Sequence, residues 1–143
     1  KDFDAVIVSD YCKGFLTNDD IEFICSQSEN VFIDTKKLLG NFISKAKYIK
    51  INNLEHKKNY DILPNYPELN DKLIVTQGKN GCNFQGKNYP VQEVSVKDVS
   101  GAGDTFLAGL VTEYVKSKDI IKSIKYAQKC TTKVVQKHGV STI

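Results

Sequence analysis

The chain contains no methionine and no tryptophan, and only three of its 143 residues are proline. Opening on Lys1 with no methionine anywhere, it reads as a processed or excised piece of a longer protein, or as one traced in part. Its four cysteines, Cys12, Cys25, Cys82 and Cys130, are far apart and make no Cys-x-x-Cys pair. That spacing argues against a zinc site and leaves reduced thiols in a cytoplasmic protein as the expectation. No apolar run reaches the roughly 18 residues that a membrane span requires, and no signal peptide opens the chain. The charge is nearly balanced as well. Twenty basic and 17 acidic residues leave a net +3, too little to argue for a nucleic-acid partner. Lys118, Lys122, Lys125, Lys129, Lys133 and Lys137 recur at helical spacing and read as a solvated face. His56 and His138 have no partner at ligand spacing and read as surface residues. There is no internal repeat and no low-complexity segment.

What remains is ordinary globular material, 41% hydrophobic and 26% charged, so a folded domain rather than a disordered tail is expected. A single domain of this size buries about two-thirds of its unfolded surface. Phe3 to Val8 is a continuous apolar run, expected as a strand buried on both faces. It leads into the polar loop Ser9-Asp10-Tyr11-Cys12-Lys13-Gly14. Thr17 is expected to cap a helix, with Asp20 three residues on as an imperfect capping box and Ile21, Phe23, Ile24 and Cys25 facing the core. Val31 to Asp34 and Tyr48 to Ile51 are expected as further buried strands, the first followed by Lys36 and Lys37, the second by Asn52, Asn53 and Glu55. Lys57 to Asp71, with Pro64 and Pro67, is expected to be irregular, with at most a short turn of helix. Lys72 to Thr76 supplies a fourth strand. Cys82 to Phe84 and Asn88 to Val91 flank Gln85-Gly86-Lys87 as an antiparallel hairpin. Gln92 to Val96 is expected to be extended. Helices are expected from Ala102 to about Lys116 and from near Asp119, the second turning Ile120, Ile121, Ile124, Ala127, Thr131, Val134 and Val135 inward and ending at Gly139. Strands alternating with helices at this spacing indicate βαβ units and a mainly parallel sheet.

The chain is organised around Asp98-Val99-Ser100-Gly101-Ala102-Gly103-Asp104-Thr105-Phe106, a polar turn opening into a helix. Two glycines let the backbone approach a ligand, and the first helical amides lack intrahelical partners while the dipole adds partial positive charge. That is an anion site, most often for phosphate. Asp104 beside it reads either as a base taking a proton from an attacking hydroxyl, or as a first-turn aspartate favoured by the dipole. Asp10, Asp34, Asn52 with Glu55, and Thr76 with Gly78 all lie at strand ends. In open α/β sheets ligands bind at that edge, so with the 98–104 turn five polar sites would face it. Phosphoryl transfer needs such convergence, because its catalysis is mostly positioning and charge neutralisation. Each also has a plainer reading. Asn52 and Glu55 could cap a helix, Thr76 to Gly81 could be a turn, and Asp10 with Lys13 could be an exposed loop pair.

The run DVSGAGDTFLAGL resembles the C-terminal signature of the pfkB (ribokinase-like) sugar kinases, which phosphorylate a hydroxyl of a small metabolite with ATP. The resemblance covers almost the whole chain and points to one branch, the bacterial heptose-phosphate kinases of lipopolysaccharide precursor synthesis. It implies a three-layer α/β/α sandwich with a mainly parallel sheet, residues 1–143 forming the C-terminal, nucleotide-binding part of the fold. It implies Asp104 as catalytic base and the Gly101, Ala102 and Gly103 amides as the anion hole. Asn52, Asn53 and Glu55 fit the family's N-x-x-E, acting on magnesium and the ATP phosphates, the Glu through water. Thr76, Gly78 and Gly81 fit the T-x-G-x-x-G loop along the nucleotide. Asp98 and the Ser100 carbonyl match positions that hold a monovalent cation, potassium, in some members. Ser9 to Gly14 is similar to the branch's S-D-Y-x-K-G and Asp34-Thr35-Lys36 to its D-P-K, which gives Asp10, Lys13 and Lys36 to the sugar side. Ala127 through Ile143 resembles the final helix and strand that wall the adenine pocket. Two departures matter. The family's kinases are about twice as long, and the connection after Glu55 is short. The alternative is therefore a catalytically incomplete nucleotide-binding module or an interaction remnant. A strand edge such as Phe3 to Val8, uncovered without its partner half, further predicts a two-fold homodimer unless Lys1, Asp2 and Asp4 blunt it.

Overall fold

Residues 3–137 are described by a computed structural model, and they fall into two compact units. The first comprises residues up to Gln77 together with Cys82–Asn88; the second comprises Gly78–Gly81 and everything from Tyr89 onward.

The first unit is built on a sheet. Strands β1 (Val6–Asp10), β2 (Val31–Thr35), β3 (Tyr48–Asn52) and β4 (Leu73–Thr76) pair in parallel in chain order, and β5 (Cys82–Phe84) adds antiparallel to β4. Strand β6 (Lys87–Tyr89) closes the hairpin after Gln85-Gly86, starting one residue earlier than expected and ending before Val91. Side chains alternate across a strand. Val8, Val31, Ile33, Ile49, Ile51, Leu73 and Val75 therefore share one face, where they pack with Ile21 and Cys25 of helix α1 (Asn18–Ser26), Ile43, Leu63 and Leu69. The α1 start is a full capping box rather than an imperfect one: Asp20 N–H donates to Thr17 Oγ1 at 3.1 Å, and Thr17 N–H donates to Asp20 Oδ2 at 2.8 Å. That reciprocal bond holds the Asp20 carboxyl below its ordinary value.

One expectation is corrected here and another is met. The first strand is shifted to Val6–Asp10 and is not buried on both faces, since it forms the sheet edge and leaves Ile7 46% exposed. The connection after β3 is as expected: Asn52 and Glu55 cap a helix, α2 (Asn53–Lys58), and Lys57 to Asp71 is irregular beyond it, with short 3₁₀ turns at Leu63–Asn65 and Pro67–Leu69. Asn59 stitches this connection together. Its Oδ1 accepts the Leu39 N–H at 2.8 Å and its Nδ2 donates to the Glu55 carbonyl at 2.8 Å.

The second unit is a helix pair, α3 (Ala102–Ser117) and α4 (Ile120–Val135), with Asp119 capping α4 through the Ile121 and Lys122 amides. Phe106, Leu107, Leu110, Val111 and Tyr114 of α3 are buried, as are Ile124, Ala127, Cys130 and Val134 of α4. Gly109 lets the helices meet closely: a Cβ there would lie 3.2 Å from Ala127 Cα and 3.2 Å from Cys130 Sγ. Gln92 to Val96, expected to be extended, forms no strand of the sheet. It gives way to a loop pinned where the Lys97 and Asp98 amides donate to the Val135 carbonyl. His138, Gly139 and the expected final strand lie outside the described residues. Among the described residues no helix is long and apolar enough to cross a membrane.

Candidate functional site

In the first unit, strand register lays out polar groups in rows. Ser9 pairs with Asp34, Asp34 with Lys50, and Lys50 with Ile74, so these four form one rung on one sheet face. Two residues further toward the carboxyl ends, Asn52 pairs with Thr76 on the same face. Asn52 caps α2, its Oδ1 accepting the Glu55 N–H at 2.8 Å while Glu55 Oε1 accepts the Asn52 N–H at 2.9 Å. The plainer reading of these two residues is thus realised in the structure: their spacing of three is a capping box. Glu55 is buried nonetheless, and its second oxygen accepts from Lys36 Nζ at 2.9 Å. That bond raises the Lys36 pKa, and the same ammonium lies 5.4 Å from the centre of the Tyr11 ring. Asn53 is exposed at the first position of α2, and Thr76 Oγ1 reaches the Ile51 carbonyl at a long 3.4 Å.

Asp10 stands apart from this row. It pairs with Thr35, one residue out of phase, and so lies on the opposite sheet face from Asp34 and Asn52. Its carboxylate is buried and occupied: Oδ2 accepts from Thr35 Oγ1 at 2.8 Å and lies 3.7 Å from Lys37 Nζ, and Oδ1 accepts the Cys12 N–H at 3.0 Å. Lys13 is exposed in the loop beyond.

In the second unit, Gly78 to Asn80 form a 3₁₀ turn closed by the Gly81 N–H on the Gly78 carbonyl at 3.0 Å. Gly81 has φ +88°, and a Cβ there would sit 2.1 Å from the Tyr89 carbonyl oxygen. The 98–104 turn is ordered by Asp98, whose Oδ1 accepts the Ser100 N–H at 2.8 Å. Gly101 then takes the left-handed conformation at φ 75°, and α3 starts with no side-chain cap on its first amides. Ala102 N–H turns back to the Val99 carbonyl at 3.1 Å. Asp104 lies exposed in the first turn. An uncapped, glycine-bounded helix start beside an exposed carboxylate can hold an anion and accept a proton.

Lys50 is the residue that sequence reading passed over. Its Nζ lies 3.1 Å from Asp34 Oδ2, with the side chains 5% and 15% exposed. Burial raises the Asp34 pKa, against the opposing pull of Lys50. The signal was a lone charge between two isoleucines in a strand expected to be apolar on both faces. Gln128 was also missed; its Nε2 donates to the Tyr89 carbonyl at 2.7 Å from a buried position on α4. Nothing in the helical periodicity set it apart. A groove of about 520 Å³ lies along β4, lined by His56, Leu63, Leu73, Val75, Gln77 and Asn83. Leu73 and Val75 put it on the face opposite the Asp34 rung.

Comparison with known proteins matches residues 30–143 to the pfkB family carbohydrate kinases. The bifunctional protein HldE of Marinomonas sp. (strain MWYL1) is 32% identical over 159 aligned residues, which cover 98% of this chain and 34% of that protein. A nucleoside kinase of Methanocaldococcus jannaschii is 28% identical over 117 residues, covering 76% of this chain and 39% of that protein. Its archaeal ribokinase-family crystal structure superposes with a TM-score of 0.72 at 22% identity, over 97% of this chain and 52% of that one. Thermotoga maritima ribokinase superposes at 0.76 and 16% identity, over 96% and 54%. The fold is thus ribokinase-like, the mostly parallel sheet and helices of a three-layer α/β/α sandwich. The chain spans about a third of the curated HldE relative and about half of these solved structures.

Proposed function

Because the chain belongs to the pfkB carbohydrate kinase family, we propose that it is the C-terminal, nucleotide-binding part of a kinase that transfers the γ-phosphoryl group of ATP to a sugar hydroxyl. The observation that carries this is the start of α3: a left-handed Gly101, no side-chain cap on the first amides, and an exposed Asp104 one turn in. In this reading the Gly101, Ala102 and Gly103 amides hold the transferring phosphoryl group, and Asp104 takes the proton of the attacking hydroxyl. The Ala102 amide, which donates to the Val99 carbonyl, would exchange that bond for the phosphoryl group, and donors held near a developing charge lower a barrier.

Magnesium and ATP fit the donor set of the first unit. Among the described residues no three His, Cys, Asp or Glu side chains converge as a metal site. Magnesium in phosphoryl-transfer sites is held largely by substrate phosphates and water, with one or two carboxylates. Glu55 suits that outer role, since each of its oxygens accepts one hydrogen bond and retains a lone pair. When bound, the metal neutralises charge on the phosphates. Asn52 orients Glu55, and Thr76, Gly78 and Gly81 shape the loop assigned to the nucleotide. Asp98 and the Ser100 carbonyl would hold a potassium ion, and Asp10, Lys13 and Lys36 serve the sugar side. The similarity to HldE, together with Ser9 to Gly14 and Asp34 to Lys36, favours a heptose 7-phosphate phosphorylated at C1 as acceptor, in a cytoplasmic enzyme of lipopolysaccharide precursor synthesis.

The test is Asp104→Asn in the full-length protein. Turnover should fall at least the roughly 10²-fold expected of a general base, with nucleotide affinity unchanged. Unaltered turnover would remove Asp104 from the chemistry.

A further inference from the structure

We propose that Asp34 and Lys50 form a hydroxyl-recognition subsite for the acceptor, the carboxylate accepting from one hydroxyl and the ammonium donating to its neighbour. The inference rests on the sugar-kinase reading above and adds two residues to it. A buried ion pair is a poor way to stabilise a sheet, because well-packed apolar residues of similar size do as well or better. Its neighbours show that alternative at work: Phe32, Ile74 and Phe84 on the same face are all buried apolar residues. The 34/50 position is the exception, and it calls for a reason beyond packing.

The pair also has hydrogen-bonding capacity left over. Among the described residues Lys50 Nζ, with three protons, makes one hydrogen bond, to Asp34 Oδ2, and Asp34 Oδ1 accepts none. Among the described residues no buried side-chain oxygen or nitrogen lacks a partner, so the unbonded Asp34 Oδ1 is reached by solvent and open to a ligand. A ligand that satisfies both groups must offer a donor and an acceptor within a few ångströms. A vicinal diol does so. A phosphate offers acceptors alone and is repelled by the carboxylate. The pair is neutral as a whole, which suits an uncharged polyol segment. Access lies toward β1, where Ser9 of the same rung is exposed and Ile7, one rung down, is 46% exposed. The rung sits one step below Asn52, so a sugar seated there remains at the carboxyl end of the sheet.

A rival explanation is that the pair only fixes strand register, since Asp34 and Lys50 are cross-strand partners. The experiment uses the full-length protein with D-ribose, D-fructose and a heptose 7-phosphate as probes, read by turnover and by calorimetric binding. Asp34→Asn should raise the KM or Kd for the preferred sugar at least about tenfold, the value of one charge-assisted hydrogen bond, and leave the ATP KM within about twofold. The exchange Asp34→Lys with Lys50→Asp should restore the melting temperature but not sugar affinity. Recovery of sugar affinity by the exchange, or an unchanged sugar KM in Asp34→Asn, would overturn the subsite. Should Asp34→Asn not fold, Asp34→Asn with Lys50→Gln keeps the shape without charge and carries the same expectation. Asp34-dependent sugar binding without turnover would sink the kinase reading alone, and turnover indifferent to Asp34 would sink the subsite alone. Neither binding nor turnover with any probe would sink both.

Discussion

Replacing Gly81 by alanine should cost far more than the same change three residues earlier. Gly81 and Gly78 both have positive φ, +88° and +57°, so each pays the left-handed strain of an L-residue, about 1–2 kcal/mol. At Gly78 nothing lies within 4 Å of the added methyl. At Gly81 the methyl would fall 2.1 Å from the Tyr89 carbonyl oxygen and 2.8 Å from Pro90 Cα, more than an ångström inside contact distance. The carbonyl cannot easily retreat, because it accepts a 2.7 Å hydrogen bond from buried Gln128. Relieving the clash moves the loop or breaks that bond, and losing this buried hydrogen bond adds about 1–3 kcal/mol. The total for Gly81→Ala is then about 2–5 kcal/mol, against about 1–2 for Gly78→Ala. At about 2–4 °C per kcal/mol for a chain of this size, the melting temperature should drop by at least about 4 °C for Gly81→Ala. Thermal melts of both variants by circular dichroism test this directly. Equal shifts would refute the argument, since strain alone would then account for both.

Three further outcomes are expected. Magnesium-ATP should bind the 143-residue chain weakly, and a folded sample giving no calorimetric heat with ATP or ADP at millimolar concentration would contradict the nucleotide assignments. Burial pushes the Cys82 thiol up to about 12, so the folded state keeps its proton where the unfolded state has lost it; stability should therefore fall as pH rises from about 9 to about 12. Cys82→Ala should flatten that decline in urea melts taken across the range, and an unaltered slope would assign it elsewhere. The chain should associate as a two-fold dimer through the β1 edge, where Phe3 and Ile7 are exposed, and light scattering at high concentration showing only the 16.0 kDa monomer would exclude this.

Much of the architecture was legible because the decisive signals were local. Thr17 and Asp20 announced a helix start, continuous apolar runs announced buried strands, and Gly-x-Gly-Asp announced an uncapped helix. The strand ends were harder. Asp10 and Asp34 looked equivalent as acids closing apolar runs, yet pairing puts them on opposite faces, and a phase difference of one residue emerges only when strands align. The first strand misled for a related reason. An edge strand can be as apolar as a central one, and position in the sheet is not written in its residues. Lys50 showed only as a lone charge between isoleucines, and its partner, 16 residues away across a parallel pairing, could not be read locally. The anchoring of the Lys97 and Asp98 amides on the Val135 carbonyl, made 38 and 37 residues along the chain, was likewise beyond local pattern.

The bare backbone at Gly109 has a mechanical consequence. With Ala127 and Cys130 pressed against it, α3 is clamped to α4 near its middle, five residues from Asp104. At 1.5 Å per residue that leaves a lever of only about 7.5 Å between clamp and carboxylate. So short a rod does not bend appreciably, and side-chain rotation apart, Asp104 keeps its bearing relative to α4. Any closing motion that carries this carboxylate must therefore carry both helices as one rigid block. Amide exchange along the middle of α3 and α4 should then slow and quicken together, as two halves of a single opening event.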